Sequence, residues 1–317
     1  MRVGLDVGGT KTDAVVVAAD GTIAARVRLA TGWGGDEIIR TVVAAVHSVA
    51  TDAGTDLRSI SSVGIGIPGQ VDAVTGRVSH AVNLGVEELE LAAEVAPRLG
   101  VAVRVENDVK AAAVGAHALC GSARGLDLGR GAMAYLNLGT GVAAGIVVDG
   151  ELWRGSRGTA GEVGHISIDP AGPLCRCGQR GCIEAFAGGG AVAQRWGRRG
   201  PLPVLDVFDS ADAGDATARG LRSGIARGVA AAVRVLVLTG DVDVVVLGGG
   251  LTALGDRLMT DVSAELAASA EASPFMRSLH LDERVKLLPS GSPAAALGAA
   301  LIGATHDPEP EEVLAHG

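Results

Sequence analysis

The sequence predicts an α/β protein of two domains. Its 317 residues correspond to roughly two domains at about 150 residues each. Short apolar segments of strand length alternate with segments of helical period along the chain. The chain also repeats itself weakly. Leu5-Asp6-Val7-Gly8-Gly9-Thr10 and Leu136-Asn137-Leu138-Gly139-Thr140-Gly141 each set a polar residue two before a glycine turn. Each then runs into an apolar strand that ends at Asp-Gly, Asp20-Gly21 in one copy and Asp149-Gly150 in the other. The repeat reads either as two unrelated hairpins, since Asp-Gly turns are common, or as a duplicated α/β half in which each copy supplies one phosphate-binding turn.

Val3 to Val7 is a short apolar strand. Asp13 to Ala18 and Thr22 to Leu29 flank the Asp20-Gly21 hairpin signal. Asp36 to Ala53 has helical spacing, with Ile38, Ile39, Val42, Val43, Val46 and Val49 on its apolar face. Ser62 to Ile67 is a strand stopped by Pro68-Gly69. Leu89 to Leu99 reads as a helix, Val101 to Val105 as a strand, and Asp108 to Leu119 as an alanine-rich helix. A glycine-dense stretch, Cys120 to Gly131, follows. The strands Ala132 to Leu138 and Val142 to Val148 come next, then a Gly/Cys-rich insert. A long helix over roughly Asp215 to Thr239, a strand Val242 to Leu247, and helices Leu251 to Ala270 and Pro293 to Ala304 close the pattern. The tail from His306, with two prolines and four carboxylates, is expected to fray. Cys120 to Gly131 and Ser290-Gly291-Ser292 are the expected crossings between domains.

Composition narrows the function. Hydrophobic residues at 48% and charged residues at 20% exclude wholesale disorder. Aromatics are only 2%, so Val, Ala, Leu and Ile must build the core. The net charge of −9 argues against nucleic-acid and membrane-surface partners. No apolar run of about 20 residues exists to span a bilayer, and the start shows no export signal, so a cytoplasmic protein is expected.

Gly64, Gly66 and Gly69 match the dinucleotide pattern G-x-G-x-x-G by letter, but Pro68 and Gln70-Val71-Asp72 do not open the helix that this fingerprint requires. Asp6-x-Gly8-Gly9-Thr10-Lys11 is more informative. Its glycines let backbone N–H groups approach phosphate oxygens, and a carboxylate at the strand end suits Mg²⁺. An ordinary glycine turn with a solvated lysine would look the same. Asn107 and Asp108 lie where a strand meets a helix. Asp is ordinary there as an N-cap, yet the C-terminal edge of a strand is also where α/β sheets put their sites, and a carboxylate there can take a proton from an attacking hydroxyl. His165, Cys175, Cys177 and Cys182 make a Cys₃His set, the ligands of a closed structural zinc site. The remaining cysteine, Cys120, reads as a buried thiol.

In that order, Asp6 to Lys11, Glu106-Asn107-Asp108, Leu138 to Gly141, Glu162-Val163-Gly164-His165 and Cys175 to Glu184 resemble the ROK family of repressors, open reading frames and sugar kinases, from Arg2 to about Gly303. The bacterial glucokinase branch is the most similar. The resemblance implies an actin-like (ribonuclease H-like) fold with sugar and ATP between two domains. Residues 1–119 would be a small domain, with a helix over 294–317 returning to it, and 120–293 a large domain carrying the zinc insert. The resemblance makes Asp108 the general base and gives Asn83, Asn107, Asp108, Glu162, His165 and Glu184 to the sugar. Gly8, Gly9, Thr10, Lys11, Gly139, Thr140 and Gly141 would surround the phosphates, Asp6 would position Mg²⁺, and Gly248, Gly249 and Gly250 would lie near the adenosine. His165 would bind structural Zn²⁺ through one ring nitrogen and face the sugar with the other. A homodimer or homotetramer is expected.

Three positions depart from the family pattern: Val86 where a Trp is frequent, Lys110 where an Asn is common, and Ala116 where a Glu is usual. They bear on which sugar is bound, and Val86 is expected to leave room for an N-acetyl group. The expected activity is ATP-dependent phosphorylation of a hexose, glucose at its 6-hydroxyl. The alternatives are an N-acetylglucosamine or N-acetylmannosamine kinase and a sugar-responsive regulator. A regulator needs a helix-turn-helix ahead of the phosphate motif, and residues 1–5 leave no space for one.

Overall fold

The computed structural model describes residues 1–124, 131–198 and 200–304. Two compact units divide the chain. The first is Met1–Asp108 together with Ala296 and the helix residues that follow, and the second is Val109–Ala295.

The first unit is built from β1 (Arg2–Val7), β2 (Lys11–Val17), β3 (Ile23–Ala30), α1 (Gly35–Asp52), β4 (Ser62–Ile67), β5 (Gln70–Asp72), β6 (Arg77–Ala81), β7 (Val86–Leu89), α2 (Leu91–Leu99) and β8 (Val103–Asn107). Its main sheet has the order β3-β2-β1-β4-β8. β1, β2 and β3 form an antiparallel meander, while β4 and β8 run parallel to β1. Val3, Leu5 and Val7 join Val63, Ile65 and Ile67 in a core completed by Ile38, Val42, Val46 and Val49 of α1. β3 is the edge strand, and its residues alternate between half-buried and exposed. Val43 is only partly buried, at the margin of the α1 face. β5, β6 and β7 form a small antiparallel sheet that sequence patterning does not reveal, because strands of three to five residues are too short to show a period.

The second unit continues with α3 (Asp108–Arg124), β9 (Ala132–Leu138), β10 (Val142–Val148), β11 (Glu151–Trp153), α4 (Ile183–Ala187), α5 (Gly189–Trp196), α6 (Pro203–Asp212), α7 (Ala216–Gly240), β12 (Val244–Gly248), α8 (Asp256–Ala272), α9 (Pro274–Ser278) and β13 (Val285–Leu287). α10 (Ala294–Gly303) ends the described chain. The second sheet has the order β11-β10-β9-β12-β13, again a meander followed by two parallel strands. Both five-stranded sheets therefore begin with the repeated hairpin and grow in the same order.

The second sheet is covered on both faces, which explains its near-continuous apolar strands. Leu136, Leu138, Val245 and Leu247 face the cluster of α7 and α8. Met133, Tyr135, Val244 and Val246 face Val109, Ala112, Ala113, Ala116 and Cys120 of α3. α7 opens on Asp215, whose side chain accepts the Ala218 N–H at 3.0 Å.

Several boundaries move. The strand expected over Val101 to Val105 is Val103–Asn107, so strand and helix abut at Asn107 and Asp108. The helix expected over Leu251 to Ala270 breaks at Gly255, whose φ of +56° suits glycine, and α8 starts at Asp256. Where a domain crossing was expected at Cys120 to Gly131, the division falls after Asp108, because α3 packs on the second sheet. Residues 125–130 of that stretch, and the tail from residue 305, lie outside the described residues. The chain returns to the first unit after Ala295, a few residues beyond Ser290-Gly291-Ser292. Gly64 and Gly66 lie inside β4 and no helix follows Gly69, so the dinucleotide reading is excluded on geometry. Among the described residues no helix is long and apolar enough to cross a membrane.

Candidate active site and metal centre

In the first unit the parallel strands β1, β4 and β8 deliver their C-terminal ends to one edge of the sheet. Asp6 is near the end of β1 and Asn107 ends β8. The Asn107 Nδ2 donates to the Gly69 carbonyl at 3.3 Å, which fixes the amide across the end of β4. Asp108 follows at once as the first residue of α3. Asp6 lies close enough to Asp108 to feel its charge. Burial first, then the Asp108 carboxylate, then Asp13 raise the Asp6 carboxyl to about 7, while Arg28 and Arg26 oppose the shift. Both arginines are held by Asp13, with the Arg28 Nη2 at 2.8 Å and the Arg26 Nη2 at 3.3 Å. A buried carboxyl whose ionisation a neighbouring carboxylate opposes forms, with that neighbour, a donor set suited to a divalent cation with oxygen ligands, and so fits Mg²⁺.

Gly8, Gly9 and Thr10 form the turn between β1 and β2, closed by the Gly8 N–H donating to the Lys11 carbonyl at 2.9 Å. Gly9, Thr10 and Lys11 are exposed. A Cβ on Gly9 would stand 3.2 Å from the Asn83 carbonyl oxygen, so the turn and Asn83 are immediate neighbours. Asn83 itself is carried on a short 3₁₀ turn, Val82–Leu84.

In the second unit Gly139, Thr140 and Gly141 form the matching turn between β9 and β10, with the Gly139 N–H donating to the Gly141 carbonyl at 3.1 Å. Asn137 stands where the first unit has Asp6. Its side chain packs against both Gly139 and Gly249, at 3.2 and 2.6 Å from the position of a Cβ on each. Gly249 has a φ of +86°, and a Cβ on Gly248 would stand 2.2 Å from the Tyr135 ring. The Gly248–Gly250 segment thus lies directly beside the Gly139 turn.

Sequence reasoning missed the brace behind that turn. Gly188 joins α4 to α5, and the N–H groups of Gly189 and Gly190, which open α5, donate to the Gly139 and Thr140 carbonyls at 2.9 Å each. A Cβ on Gly189 would stand 2.9 Å from the Gly139 carbonyl oxygen. The run of three glycines was the available signal. Glu184 on α4 is tied to the same turn, since its Oε2 accepts the Val142 N–H at 3.0 Å.

Glu162 precedes and His165 ends a 3₁₀ turn, Val163–His165, that lies flat on β10. Gly161 and Gly164 make this possible, because a Cβ on either would stand 1.9 Å from a β10 carbonyl oxygen. Lys110, the departure from the family pattern on α3, is buried and its Nζ donates to the Gly158 carbonyl in the loop that leads to Glu162. Ala116, the second departure, is fully buried in the α3 interface. Val86 corrects an expectation. It is 5% exposed and packs within the first unit's core, so it makes no room for an N-acetyl group.

The ligand atoms of His165, Cys175, Cys177 and Cys182 all lie within 4.8 Å of one another. The His165 Nδ1 is 3.9 Å from the Cys175 Sγ, and the Cys177 and Cys182 Sγ atoms are 3.6 Å apart. A tetrahedral zinc with Zn–S of about 2.3 Å sets its sulfurs about 3.8 Å apart. Burial pushes the Cys182 thiol up to about 12, so a thiolate there calls for a cation. The four residues fit zinc, with the His165 Nδ1 on the side of the Cys175 sulfur.

Two meander-led sheets, each with a glycine turn after its first strand, define a mixed α/β protein. The chain belongs to the ROK family, whose profile matches residues 2–305. A glucokinase of Halalkalibacterium halodurans is 30% identical over 287 residues, covering 84% of this chain and 86% of its own. An N-acetylmannosamine kinase of Yersinia pseudotuberculosis is 32% identical over 254 residues, covering 78% of this chain and 82% of its own. The crystal structure of a ROK family glucokinase from Streptomyces griseus in complex with glucose and AMPPNP superposes with a TM-score of 0.74. It shares 30% identity and covers 95% of this chain and 98% of that one.

Proposed function

We propose that the protein is an ATP-dependent hexose kinase of the glucokinase type, with an actin-like, ribonuclease H-like fold. The observation that carries this reading is Asp108, set at a strand–helix junction within reach of Asp6 and on the same sheet edge as the Gly8–Thr10 turn. Asp108 accepts the proton of the hexose hydroxyl as its oxygen bonds to the γ-phosphorus and the bridge to the β-phosphate breaks, leaving ADP. Backbone N–H groups of Gly8, Gly9 and Thr10, and of Gly139, Thr140 and Gly141, hold phosphate oxygens. Lys11 adds charge to the first turn, and Gly248, Gly249 and Gly250 border the adenosine. Asp6 would hold Mg²⁺, whose charge offsets that of the phosphates.

Asn83, Asn107, Glu162, His165 and Glu184 satisfy sugar hydroxyls. Glu184 keeps one carboxylate oxygen for the sugar, because Oε2 is engaged by Val142. The zinc is structural, since four protein ligands leave no position for a reactive water. Bound through Nδ1, it would fix the direction in which His165 presents Nε2.

Glucose is the expected substrate, at its 6-hydroxyl. The relative named as an N-acetylmannosamine kinase supports a second reading, an N-acetylhexosamine kinase. A coupled assay with ATP over a sugar panel separates the two. The expected order of kcat/KM is glucose, then mannose, then N-acetylglucosamine and N-acetylmannosamine. Sites that hydrogen-bond each hydroxyl reject analogues that leave buried groups unpaired. An N-acetylhexosamine preferred over glucose by about ten-fold, a difference of about 1.4 kcal/mol, would replace glucose and keep the kinase.

A further inference from the structure

Trp33 is 68% exposed, an unusual place for the largest apolar side chain. It is nonetheless anchored. The next residue, Gly34, donates its N–H to the Leu84 carbonyl at 2.8 Å. The indole lies against Gly85, where a Cβ would stand 2.4 Å from both Nε1 and Cε2. Gly85 has a φ of +70° and closes the turn that presents Asn83, donating its N–H to the Val82 carbonyl at 3.2 Å. Only glycine suits that backbone and lets the ring so close. Val82, on the same turn, is 77% exposed. Asn83 in turn touches Gly9 of the phosphate turn. An anchored indole, an exposed valine, a sugar-directed amide and a phosphate turn are therefore contiguous within the first unit.

Two physical facts suggest a use. An aromatic face is electron-rich and attracts the C–H hydrogens of a saturated ring, while an indole combines an apolar body with a polar edge. Small-molecule sites pair such apolar surfaces with a few placed polar groups. We propose that Trp33 is the platform on which the C–H face of the hexose rests while Asn83 binds its hydroxyls. This makes Trp33 a determinant of sugar affinity that takes no part in the chemistry. The inference rests on the kinase reading above.

The test compares the full chain with Trp33→Ala and Trp33→Phe. In Trp33→Ala the hexose KM rises by about five- to ten-fold, the worth of one aromatic contact. The ATP KM and kcat stay within about two-fold, the signature of lost ground-state binding, and Trp33→Phe restores most of the affinity. Glucose alone changes the tryptophan emission of the wild type, and that change is lost in Trp33→Phe although Trp153 and Trp196 remain. An active Trp33→Ala enzyme with an unchanged hexose KM overturns the platform and leaves the kinase standing. A glucose-dependent emission change from Trp33 in a protein that phosphorylates no hexose retains the platform and overturns the kinase.

Discussion

Asp108 is the first residue of α3 and directly follows β8, so its substitution must separate catalysis from the stability of the strand–helix junction. Asp108→Asn keeps the size and hydrogen-bonding ability of the side chain but removes the proton acceptor. The expected loss of kcat is about 10²- to 10⁴-fold, the usual worth of general base catalysis, with sugar binding weakened far less. Near wild-type turnover would remove Asp108 from the mechanism. Asp6 makes a separate prediction through pH. Its carboxyl titrates at about 7 in the folded protein against 3.8 ordinarily. Between those values the folded chain holds a proton that the unfolded chain has released, so the Asp6 contribution to stability is full below about 4 and lost as pH rises through 7. Without Mg²⁺, the thermal midpoint of the wild type should lie near that of Asp6→Asn only at about pH 4 and fall progressively further below it as pH rises to 8. Adding Mg²⁺ at pH 8 should raise the wild type alone. A pH-independent gap between the two proteins would show that Asp6 carries no such charge penalty. The acidic residues and their strand-end positions were legible in sequence. Their mutual repulsion was not, because it depends on β1 and β8 lying on either side of β4 in one sheet.

The insert that carries His165, Cys175, Cys177 and Cys182 shows how a few residues can organise an element. Its four ligands span Val163–His165 to the start of α4, a stretch with little regular structure to hold it. Two isolated bridges, Ser167 with Cys182 and Leu174 with Arg180, are its only recorded ladder contacts among the described residues. A closed four-ligand ion would supply the missing rigidity. About one zinc per chain is expected in the purified protein, and Cys177→Ser should lose it. Cys177 is exposed and is not itself one of the proposed sugar-binding residues. Activity should still fall, because His165 and Glu184 flank the insert and move when it loosens. Metal analysis that finds active enzyme without zinc would refute this. The ligand spacing made this centre readable from sequence alone. The run Gly188, Gly189 and Gly190 marked a close backbone approach, but its partner, the Gly139 turn, was not readable, since backbone hydrogen bonds between distant segments leave no periodic trace. Nor was the small β5-β6-β7 sheet, whose strands are too short to establish a pattern.

Across the whole molecule, the repeated hairpin foretold two sheets of one design, and both grow in the same order from it. What the repeat did not disclose is that the first unit is discontinuous in sequence. Its sheet has α1 on one face and depends on α10, from the far end of the described chain, on the other. Gly4 and Gly64 pair side by side on β1 and β4 and form the floor on which α10 rests. A Cβ on Gly4 would stand 1.9 Å from the Ala296 carbonyl oxygen, and one on Gly64 would stand 1.8 Å from that of Ala299. Neither obstacle is a side chain that can swing away, so the helix itself must lift. Gly64→Ala should therefore cost at least about 3 kcal/mol, read as a lower urea midpoint. Gly220, on the exposed side of α7 with no atom within 4 Å of its Cβ position, is the control. Gly220→Ala should gain up to about 1 kcal/mol through helix propensity alone. If the two substitutions shifted the midpoint equally, close seating of α10 would not be what completes the first unit. The predicted opposite signs would show that a helix from the end of the described chain holds together the sheet that starts it.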